Sequence, residues 1–249
     1  FSAPGVRLTR APNVLGRRPE LALGSRPRLS YTQGSAPEGR AALVLQKASN
    51  TMYIPRAYRE EDRDTLLAFM RAHSFITLVS ILDGVPVASH VPVAVRVEGA
   101  AITLVGHLAK ANPQHAAFGR GESLAIFSGP HAYISPSLYD KRESVPTWNY
   151  IAVHAYGVPR PVEVTAERAA LEDGLRQLIA TYEAAYQAQW DSLPAKFREG
   201  MLGGIVGFEM EVTRLEGKYK LSQNRHRADR ERVAEALLQA DDPAARATG

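Results

Sequence analysis

Apolar and polar positions alternate in short runs along most of this chain, and a few longer stretches keep a helical spacing instead. From Arg59 to His73, apolar residues fall at Leu66, Leu67, Phe69 and Met70, behind an acidic first turn of Glu60, Glu61 and Asp62. That spacing predicts an amphipathic helix, and acids at its start complement the helix dipole. Ser74 to Leu82 reads as a strand, Asp83-Gly84 as a hairpin turn, and Val85 to Val97 as the returning strand. Pro86 and Pro92 mark that second strand as an edge or a bulged one. Glu98-Gly99 turns the chain into a third strand, so these three are expected to be antiparallel neighbours.

Glu122 to Ser128 predicts a fourth strand, ended by Gly129-Pro130 and followed by an irregular aromatic stretch, His131 to Tyr139. Val145 to Tyr156 predicts a fifth, with Val162 to Val164 extending the sheet. A helix is expected from Thr165, since Leu171, Leu175, Leu178, Ile179 and Tyr182 keep helical spacing. A second helical stretch runs from Trp190 to Met201. Gly203 to Gly207 (G-G-I-V-G) is not a dinucleotide fingerprint, because a strand, Phe208 to Leu215, follows where a helix is required. Glu216-Gly217 then reads as a turn, Lys218 to Asn224 as a short extended piece, Arg227 to Gln239 as a closing helix, and Asp241 onward as frayed. The expectation is a mainly β fold with α elements: a small antiparallel barrel of about six strands, flanking helices and a helical insertion over about 165–201.

Composition sharpens this in three ways. There is no cysteine, which removes disulfides, thiolate chemistry and Cys-based zinc sites. No apolar run approaches bilayer-spanning length, so no membrane partner is expected and the cytoplasm is the expected compartment. The formal charge of +4 is uneven: residues 1–51 hold eight basic residues against Glu20 and Glu38, leaving the rest at −2. A nearly neutral body gives no charge-based case for nucleic-acid binding. The first 51 residues also hold five Gly and five Pro, whereas Met52-Tyr53-Ile54-Pro55 reads like a natural start. They are expected to be an extension that is disordered or not naturally translated; an Arg-rich transit peptide is the alternative. The folded domain is expected over 52–249.

Candidate chemistry concentrates at Ala101 to Gln114. A strand there meets Gly106-His107, then what reads as a first helical turn, then Asn112-Pro113. A strand handing over to a helix presents unpaired N–H groups and a positive dipole end, which suits a phosphate, with Lys110 and His107 as side-chain donors. A purely structural turn with a solvated lysine is the competing reading. His90, His107, His131 and His154 match no metal-ligand spacing, so no metal is expected, and no nucleophile elbow is present.

The ordered set of M-Y-I-P (52–55), S-H-V-P (89–92), G-H-L-A-K-A-N-P-Q (106–114), F-S-G-P-H-A-Y-I-S-P (127–136), V-P-T-W-N-Y (145–150), V-H-A-Y-G (153–157) and K-L-S-Q-N (220–224) resembles a known family. It is similar to the FMN-binding split barrels of the pyridoxamine phosphate oxidase-like proteins, and in particular to the PaiB-type FMN-binding negative transcriptional regulators. Leu138 stands where the family usually has a tryptophan. The resemblance covers Met52 to about Leu238. It implies an antiparallel split β-barrel, a homodimer with two FMN sites at the subunit interface, and a role in transcription, described for sporulation and protease genes in bacilli. Promoter DNA enters as a partner by resemblance alone, since no helix-turn-helix pattern is visible. No reaction is implied.

On this resemblance the turn becomes the FMN phosphate cradle, with Gly106, His107, Lys110 and Asn112. Ser89 and His90 are expected along the isoalloxazine ring; a histidine paired with a backbone carbonyl is the plainer alternative. Thr147, Trp148 and Asn149 are expected to meet the flavin across the dimer, or else Trp148 is core. Lys220, Ser222, Gln223 and Asn224 supply a second arm on the cofactor, against a DNA-facing patch or a solvated helix start. Three functions compete: an FMN-binding regulator, a flavin-dependent oxidoreductase acting on a small molecule, and an interaction dimer with a degenerate site.

Overall fold

The Asp83-Gly84 turn forms where the pattern places it, with both residues at positive φ (51° and 80°), as a tight two-residue hairpin requires. The computed structural model describes residues 51–249; apart from Thr51, the extension expected at 1–51 lies outside them. In chain order the elements are β1 (Arg59–Glu60), α1 (Arg63–Ala72), β2 (Phe75–Leu82), β3 (Val85–Glu98), β4 (Ala101–Ala109), β5 (Ser123–Ile134), β6 (Thr147–Gly157) and β7 (Pro159–Val162). There follow α2 (Val164–Glu183), α3 (Tyr186–Ser192), α4 (Ala195–Gly203), β8 (Ile205–Glu211), β9 (Arg214–Lys220), α5 (Arg227–Leu238) and α6 (Pro243–Arg246).

All strand pairings among the described residues are antiparallel, in the order β1-β9-β6-β5-β2-β3-β4-β8-β7. β8 pairs with β4 while its successor β9 pairs with β6, so the corner between them closes the sheet into a barrel. There Val212 N–H donates to Ile102 O (2.8 Å) and Thr213 N–H to Tyr156 O (2.9 Å). The interior is filled by the alternate residues that the period-2 pattern marks, including Ile76, Leu78, Leu104, Phe127, Val153, Phe208 and Met210. α1 closes one end with Leu66, Phe69 and Met70; its N-cap Asp62 accepts from Thr65 N–H. A 3-10 turn, Pro113–Ala117, and Phe118 close the other. α2 lies on the outer face of β4 and β8, where Leu178 packs on Ala94 and Val105.

Three glycine expectations fail because each glycine lies within a continuing strand. Gly106 does not break β4: it is paired with both Val93 and Phe208 inside the sheet. A Cβ there would sit 2.7 Å from the Phe208 ring, so the glycine admits that ring to the core. Gly129-Pro130 does not end β5 but forms a bulge, with the register shifting between Ser128 and His131 and pairing continuing to Ile134. Glu216-Gly217 is not a turn; Gly217 lies within β9, where a Cβ would meet Leu66 at 2.3 Å. Among the described residues the strands accordingly number nine rather than about six. The helical stretch expected over Trp190 to Met201 divides at Leu193-Pro194 into α3 and α4. The tail from Asp241 is not frayed, since it forms α6 with Ala245 buried.

Candidate functional site

The expected phosphate turn has a different local structure. β4 runs on to Ala109, and the next helix is a five-residue 3-10 turn that begins only after Asn112. Three of its backbone donors are spent: Lys110 N–H goes to Gly204 O (2.8 Å), Asn112 N–H to Ala109 O (2.8 Å), and Gln114 N–H to Asn112 Oδ1 (3.0 Å). No helix therefore begins within Gly106–Asn112 to aim its N-terminus at a phosphate, and Gly106 faces the core. What the corner offers is side chains. Lys110 is exposed. Asn112 Nδ2 donates to Ser89 Oγ (2.8 Å), tying this loop to β3.

Alternation along the strands separates residues expected together. His90 faces outward, paired with Thr77 across β2 and 3.0 Å from its Oγ1, with Phe75 beside it. Ser89, one residue earlier, pairs with the core residue Leu78 and faces the barrel's end. His107 points outward from β4 but lies under α2, close to Leu171, Gly174 and Leu178. Burial there pushes its imidazole below the ordinary value of 6.5, and its Nδ1 has no partner.

The second set comes together at the opposite end of β6 and β9. Thr147, Asn149, Lys220, Ser222 and Asn224 line one cleft of about 140 Å³, with Tyr139 and Arg225. Lys220 Nζ donates to Trp148 O (2.7 Å) and to Thr147 Oγ1. Ser222 Oγ donates to Asn149 Oδ1 (3.1 Å), both residues being buried. Ser222 holds φ at +64°, and Arg225 N–H closes the turn onto Ser222 O (2.9 Å). That left-handed residue bends the chain back so that Asn224 and Arg225 face the same space. The Arg225 guanidinium lies 3.9 Å over the Tyr139 ring. No lining residue is acidic. Burial, and then the charge of Lys218, push the Lys220 ammonium below its ordinary value.

Two expected members do not reach this cleft. Gln223 spends its amide on Tyr219 O and Leu221 N–H. Trp148 points to the outer face, 52% exposed, edge-on to Tyr133 and 6.0 Å from His131. Tyr139 and Arg225 were missed as site residues. Arg225 is one of several basic residues around 218–227 in the sequence, with nothing to single it out, and Tyr139 carried no signal, because its place depends on the loop packing against α5.

Positively charged donors without carboxylates suit the phosphate of a mononucleotide, and exposed aromatic rings suit a planar ring system. Residues 52–214 match the family described as "Putative FMN-binding domain". The chain is 38% identical over 198 residues to "Protease synthase and sporulation protein PAI 2" of Bacillus subtilis (strain 168), covering 78% of this chain and 93% of that protein. Among solved structures it is similar to the flavocytochrome Anf3 of Azotobacter vinelandii (TM-score 0.52, 15% identity, 69% and 74% of the two chains). A second is the FAD and heme binding protein of Mycobacterium smegmatis (TM-score 0.51, 17% identity, 72% and 80%). These structures share its fold. The family match runs from the Met52 segment through the closed barrel to the first residue of β9, and this chain accordingly belongs to the FMN-binding split-barrel family.

Proposed function

We propose that the protein is a cytoplasmic homodimer that binds FMN between its subunits and acts as a negative transcriptional regulator of the PaiB type. The observation that carries the dimer is the outer face of β2, β3 and β5. Phe75 and Ile81 are exposed there, and Val79, Leu124 and Ile126 are half-buried. A sheet face of this kind is apolar where it should be polar if it met only water. A second copy covering it would bring together two half-sites that one chain holds apart. One subunit supplies Lys110 and Asn112 from the loop after β4, with His90 and Ser89 on the neighbouring β3. The other supplies Trp148 and the cleft of Thr147, Asn149, Lys220, Ser222 and Asn224. Gly106, His107 and Gln223 face elsewhere and are left out.

In this arrangement Lys110 gives charge to the phosphate, and Asn112 holds the loop that carries it. Trp148 gives one face of the ring a stacking surface. FMN, when bound, supplies any redox chemistry; the protein orients it and excludes water. The regulatory role rests on the identity to the sporulation protein, nearly all of which this chain covers. Among the described residues no helix is long and apolar enough to cross a membrane. A second reading, a flavin-dependent oxidoreductase acting on a small molecule, is favoured by the donor-lined cleft, which has room for a guest.

The absorption spectrum and native mass of the purified protein test the cofactor and the dimer. The expected result is a yellow dimer. A colourless protein that takes up no added FMN would remove the proposal. A gel shift on promoter DNA at stated salt, beside NAD(P)H-driven reduction of the bound flavin, separates regulator from enzyme.

A further inference from the structure

We propose that the Lys220–Arg225 cleft holds the anionic group of a second small ligand, a carboxylate or a phosphate monoester, presented beside the flavin. The placement beside the flavin rests on the dimeric FMN site proposed above; the anion chemistry rests on the cleft alone.

Four observations point to an anionic guest. First, two cations line a space that contains no acid. Acids on the neighbouring loop and helix are already engaged: Asp140 and Asp229 both pair with Arg232, and Glu231 pairs with Arg227. Among the described residues neither Lys220 nor Arg225 forms an ion pair. Second, Lys220 is held by neutral oxygens only, those of Thr147 and Trp148, with Lys218 behind it and its ammonium destabilised by burial. An anion in the cleft would relieve that cost. Third, the Arg225 guanidinium carbon lies 3.9 Å over the Tyr139 ring, which holds the group at the cleft wall with N–H donors left for a forked contact. Fourth, Asn149 and Ser222 are buried and bonded to each other, so the floor of the cleft is rigid before anything binds.

Size argues against a whole flavin. At about 140 Å³ the cleft is smaller than the ~300–1,000 Å³ of pockets that enclose a full ligand. It suits one charged end of a molecule whose remainder lies outside. The cofactor's own phosphate has the same chemistry, so the test must separate the two sources. Lys220 to Arg225 also lie beyond the segment matched to the family, residues 52–214.

The experiment uses the full chain, with flavin absorbance read first; that reading tests FMN binding by itself. Inorganic phosphate and acetate are then titrated calorimetrically at constant ionic strength into FMN-loaded and FMN-free protein. Wild type is compared with Arg225→Gln and Arg225→Lys, and circular dichroism confirms that each variant is folded. The expected result is phosphate or acetate binding to the loaded protein, weakened about tenfold or more by Arg225→Gln and partly kept by Arg225→Lys, while FMN affinity falls by a clearly smaller factor. If anions bind only the FMN-free protein and Arg225→Gln loosens FMN by the same factor, the cleft holds the cofactor's phosphate and the proposal falls while the FMN site stands. If neither anion binds, or Arg225→Gln changes nothing, the cleft is structural and the proposal falls. If the protein takes no FMN but the colourless chain binds phosphate through Arg225, the flavin placement falls and the anion cleft survives.

Discussion

Gly106 shows how one residue can carry two opposed meanings. In the motif it looks like a loop glycine near a phosphate; in the barrel it is the gap into which Phe208 fits. Gly106→Ala is therefore expected to cost stability, about 1–3 kcal/mol through overpacking, and to leave the FMN affinity of the folded fraction unchanged. Urea melts alongside FMN titration would show it, and a loosened cofactor with normal stability would contradict this account. The histidines carry a pH dependence. Burial lowers the imidazoles of His73, His107 and His154 below 6.5; at His154, Glu216 opposes that effect and Arg214 and Lys218 add to it. In each case the unfolded chain binds the proton more readily. Stability should thus be complete above about 6.5 and decline as pH falls below it, until the folded-state values are passed. His107→Gln should flatten that decline between pH 7.5 and 5, read from urea midpoints; an unchanged slope would exonerate His107.

Individual elements have clear assignments. β3 belongs to both halves of the barrel, pairing with β2 from Val85 to Pro92 and with β4 from Val93 to Glu98. Its outer face therefore changes from open to helix-covered partway along, which is why His90 is exposed and Ala94 is under α2. The open part, with β2 and β5, is the surface assigned to the second subunit. Ile81 is 57% exposed in the single chain, so Ile81→Lys should fold normally while halving the native mass seen by sedimentation. A dimer that survives this change would place the interface elsewhere. α2 is tied at its start by an ion network rather than by a capping bond. Arg160 bridges Glu167 and Glu209, and Arg96 also holds Glu209. Burial pushes the Glu209 carboxyl up, but those two arginines outweigh it and leave it below its ordinary value.

At the scale of the whole molecule, the proposed dimer makes the cofactor site a property of two chains. If Lys110 meets the phosphate, Lys110→Ala should weaken FMN about tenfold or more, the loss expected for one charged hydrogen bond, without changing the melting temperature. Ile81→Lys should release FMN as well, because separating the subunits dismantles both half-sites. Flavin fluorescence on dilution reads both effects. A monomeric variant that keeps full FMN affinity would show that one chain suffices and would end the interface reading.

Alternation, Asp83-Gly84, the acidic start before Arg63 and the leucine spacing after Thr165 determined the strands, the hairpin and the main helices without any tertiary information. These are local effects, set by period and turn chemistry, and they also carried the motif order that marks the family. Three matters waited for the folded chain. Whether a glycine turns the backbone or admits a neighbour depends on what lies opposite, as with Phe208 at Gly106 and Leu66 at Gly217. Which of two adjacent residues faces a ligand depends on strand register, which put Ser89 inward and His90 outward. And Tyr139 met Arg225 only because a loop after β5 folds against α5, a contact between residues 86 positions apart in sequence and 3.9 Å apart in space.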